Sequence, residues 1–172
     1  PNPNPNPNPN PIPIIFGNNQ ITKIYPNGTY IGELKNGLRD GRGIIYGNNG
    51  DRYEGQYKND KKEGKGVYYF SDGSKYEGEF KNDNMNGKGK YYYSDGSRYE
   101  GDFINGRQEG KGVFYFKNGN KYEGDFKNDF KDGKGVYIFK SGVKEIGEYK
   151  NDRPTGIFTR IELNGNIRKV KY

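Results

Sequence analysis

Cysteine, histidine, tryptophan and alanine are absent from this 172-residue chain, and leucine occurs only as Leu34, Leu38 and Leu163. Without Cys or His there are no disulfides, thiol nucleophiles, imidazole bases or the usual zinc ligand sets. Without Ala, and nearly without Leu, an ordinary helical or α/β domain has lost its best helix formers. No run approaches the roughly 20 apolar residues that a membrane-spanning helix needs, and the first residues lack the basic-then-apolar pattern of a signal peptide. A soluble, cytoplasmic protein is the expectation, with association to cytoskeleton or membrane left open. The chain does not begin with Met and reads as a piece of a longer protein.

What is present is glycine (28), tyrosine (17) and phenylalanine (10), a composition that favours strands and turns. The net charge of +7 is not concentrated in one place. Residues 30–167 are nearly balanced, with 25 basic and 22 acidic side chains, and the excess sits in Lys23, Arg168, Lys169 and Lys171. A mixed-charge, solvated surface is expected rather than a basic patch.

The dominant feature is a 23-residue repeat. Tyr53-Glu54-Gly55 returns as Tyr76-Glu77-Gly78, Tyr99-Glu100-Gly101 and Tyr122-Glu123-Gly124, with Tyr30-Ile31-Gly32 before the series and Glu145-Ile146-Gly147 after it. Two residues beyond each Gly stands Leu34, Tyr57, Phe80, Phe103, Phe126 or Tyr149, and an Asn follows two further on, from Asn36 to Asn151. A Gly-x-Gly pair opens the second half of each unit, as in Gly87/Gly89 and Gly110/Gly112, except that Phe158 takes the second place in the last.

Each unit reads as a hairpin. Tyr76, Gly78 and Phe80 alternate with charge, the period-2 signature of a strand with one packed face. Residues 81–86 read as the turn, residues 87–93 as the returning strand, and Ser94-Asp95-Gly96-Ser97 as the turn into the next unit. Strands of about 5 to 7 residues follow, twelve in six units. On the returning strand Gly87, Gly89, Tyr91 and Tyr93 are expected to share a face with the rings of the first strand, so that rings cover bare glycine backbone. The opposite face carries charge and one row of Tyr46, Tyr69, Tyr92 and Tyr115. No amphipathic helix or second set of strands is available to cover the rings. The fold class is therefore all-β, an elongated single-layer antiparallel sheet of tandem 23-residue β-hairpins.

The domain reading is a Pro/Asn tail over residues 1–13, a partial N-terminal capping repeat over 14–29, and six repeats at 30–52, 53–75, 76–98, 99–121, 122–144 and, degenerate, 145–167. Residues 168–172 begin a further strand. Proline at every second place in the tail removes ladder donors and forbids helix, so an extended or disordered segment is expected.

The frame Tyr-x-Gly-polar-aromatic, followed by Gly-x-Gly and a later Gly, resembles the MORN (membrane occupation and recognition nexus) repeat over residues 30–167. The family often has Trp where this chain has Tyr57, Phe80, Phe103 and Phe126, and His where it has Glu63, Asn86, Glu109 and Asp132. The resemblance implies an antiparallel array acting as scaffold or interaction module, in ciliary, cytoskeletal or membrane-junction assemblies or attached to enzymes such as phosphatidylinositol phosphate kinases.

Three functions compete on the residues. A protein-binding scaffold would receive a helix or peptide in an aromatic groove built from Tyr68, Phe70, Tyr91, Tyr93, Phe114, Phe116, Tyr137 and Phe139, the other rings holding the sheet together. A peripheral anionic-phospholipid module would use Lys65, Lys88, Lys111 and Lys134 along one edge of the sheet, with Arg168, Lys169 and Lys171; the interleaved acids make this the weaker reading. An enzyme is not expected: the carboxylate pair Glu77/Glu79 recurs as Glu100/Asp102 and Glu123/Asp125, whereas a catalytic site occurs once, and Gly-x-Gly has no helix behind it to cradle a phosphate. No cofactor and no metal are expected, nucleic acid is disfavoured as a partner, and a homodimer is left open.

Overall fold

The computed structural model describes residues 19–172, so the Pro/Asn tail and the first part of the capping repeat lie outside the described residues. The rest is strand and turn. The strands are β1 Ile21–Tyr25, β2 Gly28–Lys35, β3 Leu38–Gly47, β4 Arg52–Lys58, β5 Lys61–Tyr69, β6 Lys75–Lys81, β7 Asn84–Tyr92, β8 Arg98–Ile104, β9 Arg107–Tyr115, β10 Lys121–Lys127, β11 Phe130–Ile138, β12 Lys144–Lys150, β13 Arg153–Ile161 and β14 Ile167–Lys171. They form one 14-stranded sheet in strict sequence order, each strand antiparallel to the next. The meander extends about 60 Å at the usual strand spacing. β1 and β14 add to the twelve strands of the six units: β1 covers the first hairpin, and β14 is the opening strand expected after residue 167.

The turn inside each unit is shorter than the sequence suggested. Only two residues, such as Asn82 (φ 48) and Asp83 (φ 70), lie between β6 and β7, both in the left-handed region. Asn-Asp and Asn-Gly tolerate this conformation, which gives a tight turn whose twist matches the strands it joins. The returning strands therefore start early and run to nine residues rather than five to seven. The Asp also ties neighbouring hairpins together. The carboxylate of Asp83 accepts from the Lys62 amide at 2.8 Å while its own amide donates to the Lys62 carbonyl at 3.1 Å. Asp129 and Asp152 do the same to Gln108 and Lys131.

Midway along each returning strand the register slips, as between Gly124 and Phe126 on β10. The bulge centres on a glycine at positive φ, Gly133 at 112° in this hairpin. A side chain there would strike the Asp125 carboxylate, whose Oδ2 accepts from the Lys134 amide at 2.9 Å. The first glycine of each Gly-x-Gly, Gly87 included, thus faces an acidic side chain, or the Gln56 amide at Gly64, and not the rings, contrary to the simple alternation expected, because the bulge inverts its orientation.

The core is one seam of rings on a single face. Tyr30, Tyr53, Tyr76, Tyr99 and Tyr122 are wholly buried and alternate edge-to-face with Tyr57, Phe80, Phe103, Phe126 and Tyr149 at centroid separations near 5 Å. The Tyr99 ring lies flat on Gly112, where a Cβ would come within 2.5 Å of it. Its hydroxyl donates to the Asp102 carbonyl at 2.9 Å, which is why this row can carry Tyr without burying an unpaired phenol.

Candidate functional site

Above the core seam, on the same face, the returning strands carry a second line of rings. Tyr68 and Phe70, Tyr91 and Tyr93, Phe114 and Phe116, Tyr137 and Phe139 are two residues apart in sequence and so stand side by side on one face. Their centroids lie 4.5–5.0 Å apart within each pair. From one pair to the next the separation is 5.6 Å at all three steps. The eight rings predicted for a groove therefore come together as one uninterrupted ladder. All eight are half-buried, and seven of them, all but Phe139, pack below against the core seam; above they are open, since no second layer of the described chain covers them.

The ladder rings are uncharged but edged by polar and charged groups. Tyr68 donates to Asp51 at 2.7 Å, Tyr91 pairs with Ser74 at 3.1 Å, and Tyr137 accepts from Asn120 at 2.9 Å, all along the side of the long turns. On the other side Gln108, itself buried, donates to the Tyr93 hydroxyl at 2.6 Å. Burial pushes the Tyr68 and Tyr93 phenols up to about 12. Arg39, Lys62, Met85, Gln108 and Lys131 hold one position in the first five hairpins, and Lys62 reaches from it to rings of both lines, Tyr53 and Tyr68. The Lys131 ammonium is 5.1–5.9 Å from the centres of four rings, Phe116, Tyr122, Tyr137 and Tyr149. Burial lowers its pKa and that of Lys62, and the ring faces offset part of the cost of keeping the cations there.

The other candidate residues are placed differently. Lys65, Lys88, Lys111 and Lys134 stand exposed in a row down the middle of the opposite face, not along an edge of the sheet, because the bulge fixes them at the centre of each returning strand. There they meet acids: Lys88 pairs with Asp102 at 2.5 Å and Lys111 with Asp125. The Lys111 ion pair, helped by the Lys134 amide and opposed by burial, holds the Asp125 carboxyl below its ordinary value. Arg168 and Lys169 on β14 bond to Glu162 and Thr159. The repeated acids Asp102 and Asp125 serve as bulge caps and ion-pair partners.

Sequence reasoning missed a feature of this charged face. An open trough of about 820 Å³ crosses several hairpins, floored by glycine pairs such as Gly55/Gly66 and Gly78/Gly89 and flanked by Glu54, Glu77, Lys88 and Lys90. The alternation of glycine with charge is the signal for it, since the glycines that seat rings on one face leave bare backbone on the other. The bulges that bend the sheet are not visible from alternation alone.

Among the described residues no three or more His, Cys, Asp or Glu side chains form a metal-binding group, and no helix is long and apolar enough to cross a membrane.

Comparison with known proteins agrees with this architecture. The profile of the MORN repeat matches residues 30–52, 53–75, 76–98, 99–121 and 122–144. No curated protein matches the chain. Among solved structures, the TCP domain of SAS-4 (dCPAP) from Drosophila melanogaster, in complex with a proline-rich motif of Ana2 (dSTIL), has a similar fold. Its TM-score is 0.52 at 13% sequence identity, over 89% of this chain and 90% of that one. The profile match stops at residue 144, where the sixth hairpin changes its packing. Glu145 replaces the buried Tyr, and Phe158, wholly buried, replaces the second glycine and lies across Gly147 from the other strand.

Proposed function

The chain belongs to the MORN repeat family, and from that premise we propose that it is a non-catalytic scaffold that binds an extended segment of a protein partner along the ring ladder. One observation carries the reading: the eight-ring ladder is continuous and half-buried, and no layer of the described residues covers it. Rigid rings offer much contact area at little entropic cost, and clusters of them are where binding energy concentrates. An extended, proline-rich segment suits a continuous row of rings, since its apolar rings stack on aromatics and its stiff backbone loses little freedom on docking. The complex of the similar TCP domain with a proline-rich motif supports that choice of occupant. The same reading places the protein in a cytosolic assembly at cytoskeleton or membrane, with the lipid contact secondary because Lys88 and Lys111 are already ion-paired.

The test uses a fluorescein-labelled oligoproline peptide as probe. Tyr91→Ala and Phe114→Ala should weaken its binding while the unfolding midpoint falls only modestly. Affinity unchanged across the ladder series, with stability alone falling, overturns the reading.

A further inference from the structure

We infer that Lys131 fixes the register of the docked segment by taking a carboxylate from it, so that the partner is an extended, proline-rich segment with an Asp or Glu toward one end. The inference rests on the ladder being the docking surface and goes further by naming the charge its partner carries and where that charge sits.

Rings alone cannot set a register. The ladder advances by the same 5.6 Å at all three steps between pairs, so a segment held only by rings would slide by one hairpin at no cost. The ladder positions stay Tyr or Phe from hairpin to hairpin, whereas the position of Lys131 changes, from Arg39 through Lys62, Met85 and Gln108. It can tell one stretch of the ladder from the next.

The other polar residues at this position are satisfied within the sheet. Arg39 Nε lies 3.0 Å from Asp60, Lys62 Nζ lies 3.7 Å from Asp83, and Gln108 donates to the Tyr93 hydroxyl at 2.6 Å. Lys131 is built on the same plan and lacks the last contact. Asp152, the equivalent of Asp60 and Asp83, accepts from the Lys131 amide at 2.8 Å, while the ammonium lies over Phe116, Tyr122, Tyr137 and Tyr149. Among the described residues that ammonium has no ion pair and no hydrogen bond.

The contrast holds along the ladder. Three cations stand over ladder rings among the described residues: Lys62, Lys131 and Arg160. Lys62 is paired with Asp83, and Arg160 donates to Glu145 and Glu162 at 2.8 Å each. The unmet charge therefore falls between the third and fourth ring pairs, at one end.

An ammonium has three N–H donors, and ring faces attract its charge without supplying an oxygen acceptor. Burial lowers the Lys131 pKa, and Asp152 opposes this only from beyond ion-pair distance. A carboxylate entering from above supplies the missing acceptor, and in a partly desolvated site it is held more strongly than on an open surface. Proline brings no charge, so another residue of the segment must carry it. Lys62 and Lys131 are three hairpins apart, about 29 Å, and ten residues of polyproline II cover about 31 Å. A segment spanning the ladder thus places its acid near one end.

The experiment is calorimetric titration of the full chain with ten-residue proline peptides blocked at both termini. One set has a single Glu next to either end, a second has Gln there, and a third has Glu in the middle. A Glu near one end should bind roughly tenfold more tightly than Gln at the same place, and more tightly than Glu in the middle. Lys131→Met and Lys131→Gln should bring the Glu-to-Gln ratio close to one. Both side chains already occupy this position as Met85 and Gln108, so the unfolding midpoint should hold. Lys134→Met, on the opposite face of the same strand, should leave the ratio unchanged. Equal binding of Glu and Gln peptides, with both weakened by Tyr91→Ala, overturns the anchor and spares the docking reading. A Glu preference that survives Lys131→Met also overturns the anchor, as does a middle Glu that binds as tightly as a terminal one. Binding of none of the peptides, or binding indifferent to Tyr91→Ala, overturns the docking reading and the anchor with it.

Discussion

Two lines of aromatic rings lie on the same face of this sheet, and they are built for different ends. In the core seam, rings meet edge-on near 5 Å, every repeat Tyr from Tyr30 to Tyr122 is fully buried, and each phenol donates to a carbonyl three residues on. In the ladder, the rings lean on one another at 38–49° over most of its length, remain half-buried, and bond through side chains at the margins. The seam fills space that glycine backbone leaves open, so it has no free surface. The ladder packs on one side only. Composition and spacing are nearly the same in both, so position along the strand relative to the glycines separates structural from available rings.

The largest expected effect is alkaline. Burial raises the Tyr30 phenol to about 12 and the phenols of Tyr53, Tyr76, Tyr99 and Tyr122 further. In the unfolded chain these groups ionise near 10. A raised folded pKa means that the stabilisation is fully present below pH about 10 and is lost as the pH climbs toward the folded values. The array should therefore unfold cooperatively within that window, with tyrosinate absorbance and far-UV circular dichroism changing together. Tyrosinate appearing well before loss of strand signal would show that the seam is not closed to solvent.

Next come truncations that set the two lines against each other. Tyr99→Ala removes a ring covering Gly112 and should cost roughly 3–5 kcal/mol in denaturant unfolding. Phe114→Ala, in the half-buried ladder, should cost roughly 1–2 kcal/mol. Equal losses would make the ladder a second core and remove the contrast on which the binding reading depends.

The sixth hairpin offers a finer test, because it solves the seam's packing problem by exchange. The ring comes from Phe158 on the returning strand, and Glu145, which replaces the Tyr, turns its carboxylate to Arg160 at 2.8 Å and the Tyr172 hydroxyl at 2.7 Å. Glu145→Tyr alone puts two rings where one fits, and Phe158→Gly alone leaves none. The two together restore the repeat pattern and should recover stability relative to the sum of the single changes by about 0.5–3 kcal/mol in a double-mutant cycle. Simple additivity would mean that the two positions do not share the space.

These contrasts mark how far the sequence could be read. Repeat length, strand order and the pairing of rings with glycines follow from Tyr-x-Gly and Gly-x-Gly at 23-residue spacing, and the eight ladder rings follow from alternation on the returning strand. The two-residue turn was also legible in Asn-Asp or Asn-Gly at one phase of every unit, but polar neighbours such as Lys81 and Asn84 made the loop look longer than it is. The bulge and the charged-face trough were not, because alternation assumes an unbroken pleat and Gly87 leaves it. The degeneracy of the last unit was visible, whereas the compensation between Glu145 and Phe158 requires knowing that both point into one space.

The smallest effect tests the hydroxyl rule of the seam itself. Tyr57 stands where neighbouring hairpins have Phe80, Phe103 and Phe126, and unlike the repeat tyrosines its buried hydroxyl has no hydrogen-bond partner. An unpaired buried hydroxyl costs about 1–3 kcal/mol, while the contacts of the ring with Tyr30, Tyr53 and the Arg39 guanidinium do not involve it. Tyr57→Phe keeps those contacts and should raise stability by about 1 kcal/mol. Tyr53→Phe, by contrast, deletes a 2.8 Å bond to the Gln56 carbonyl and should lower it by a similar amount. Thermal midpoints of the two variants measured side by side should move in opposite directions. If both fell, the Tyr57 hydroxyl would have a partner in solution, and the first hairpins would hold a polar contact that their ring geometry does not show.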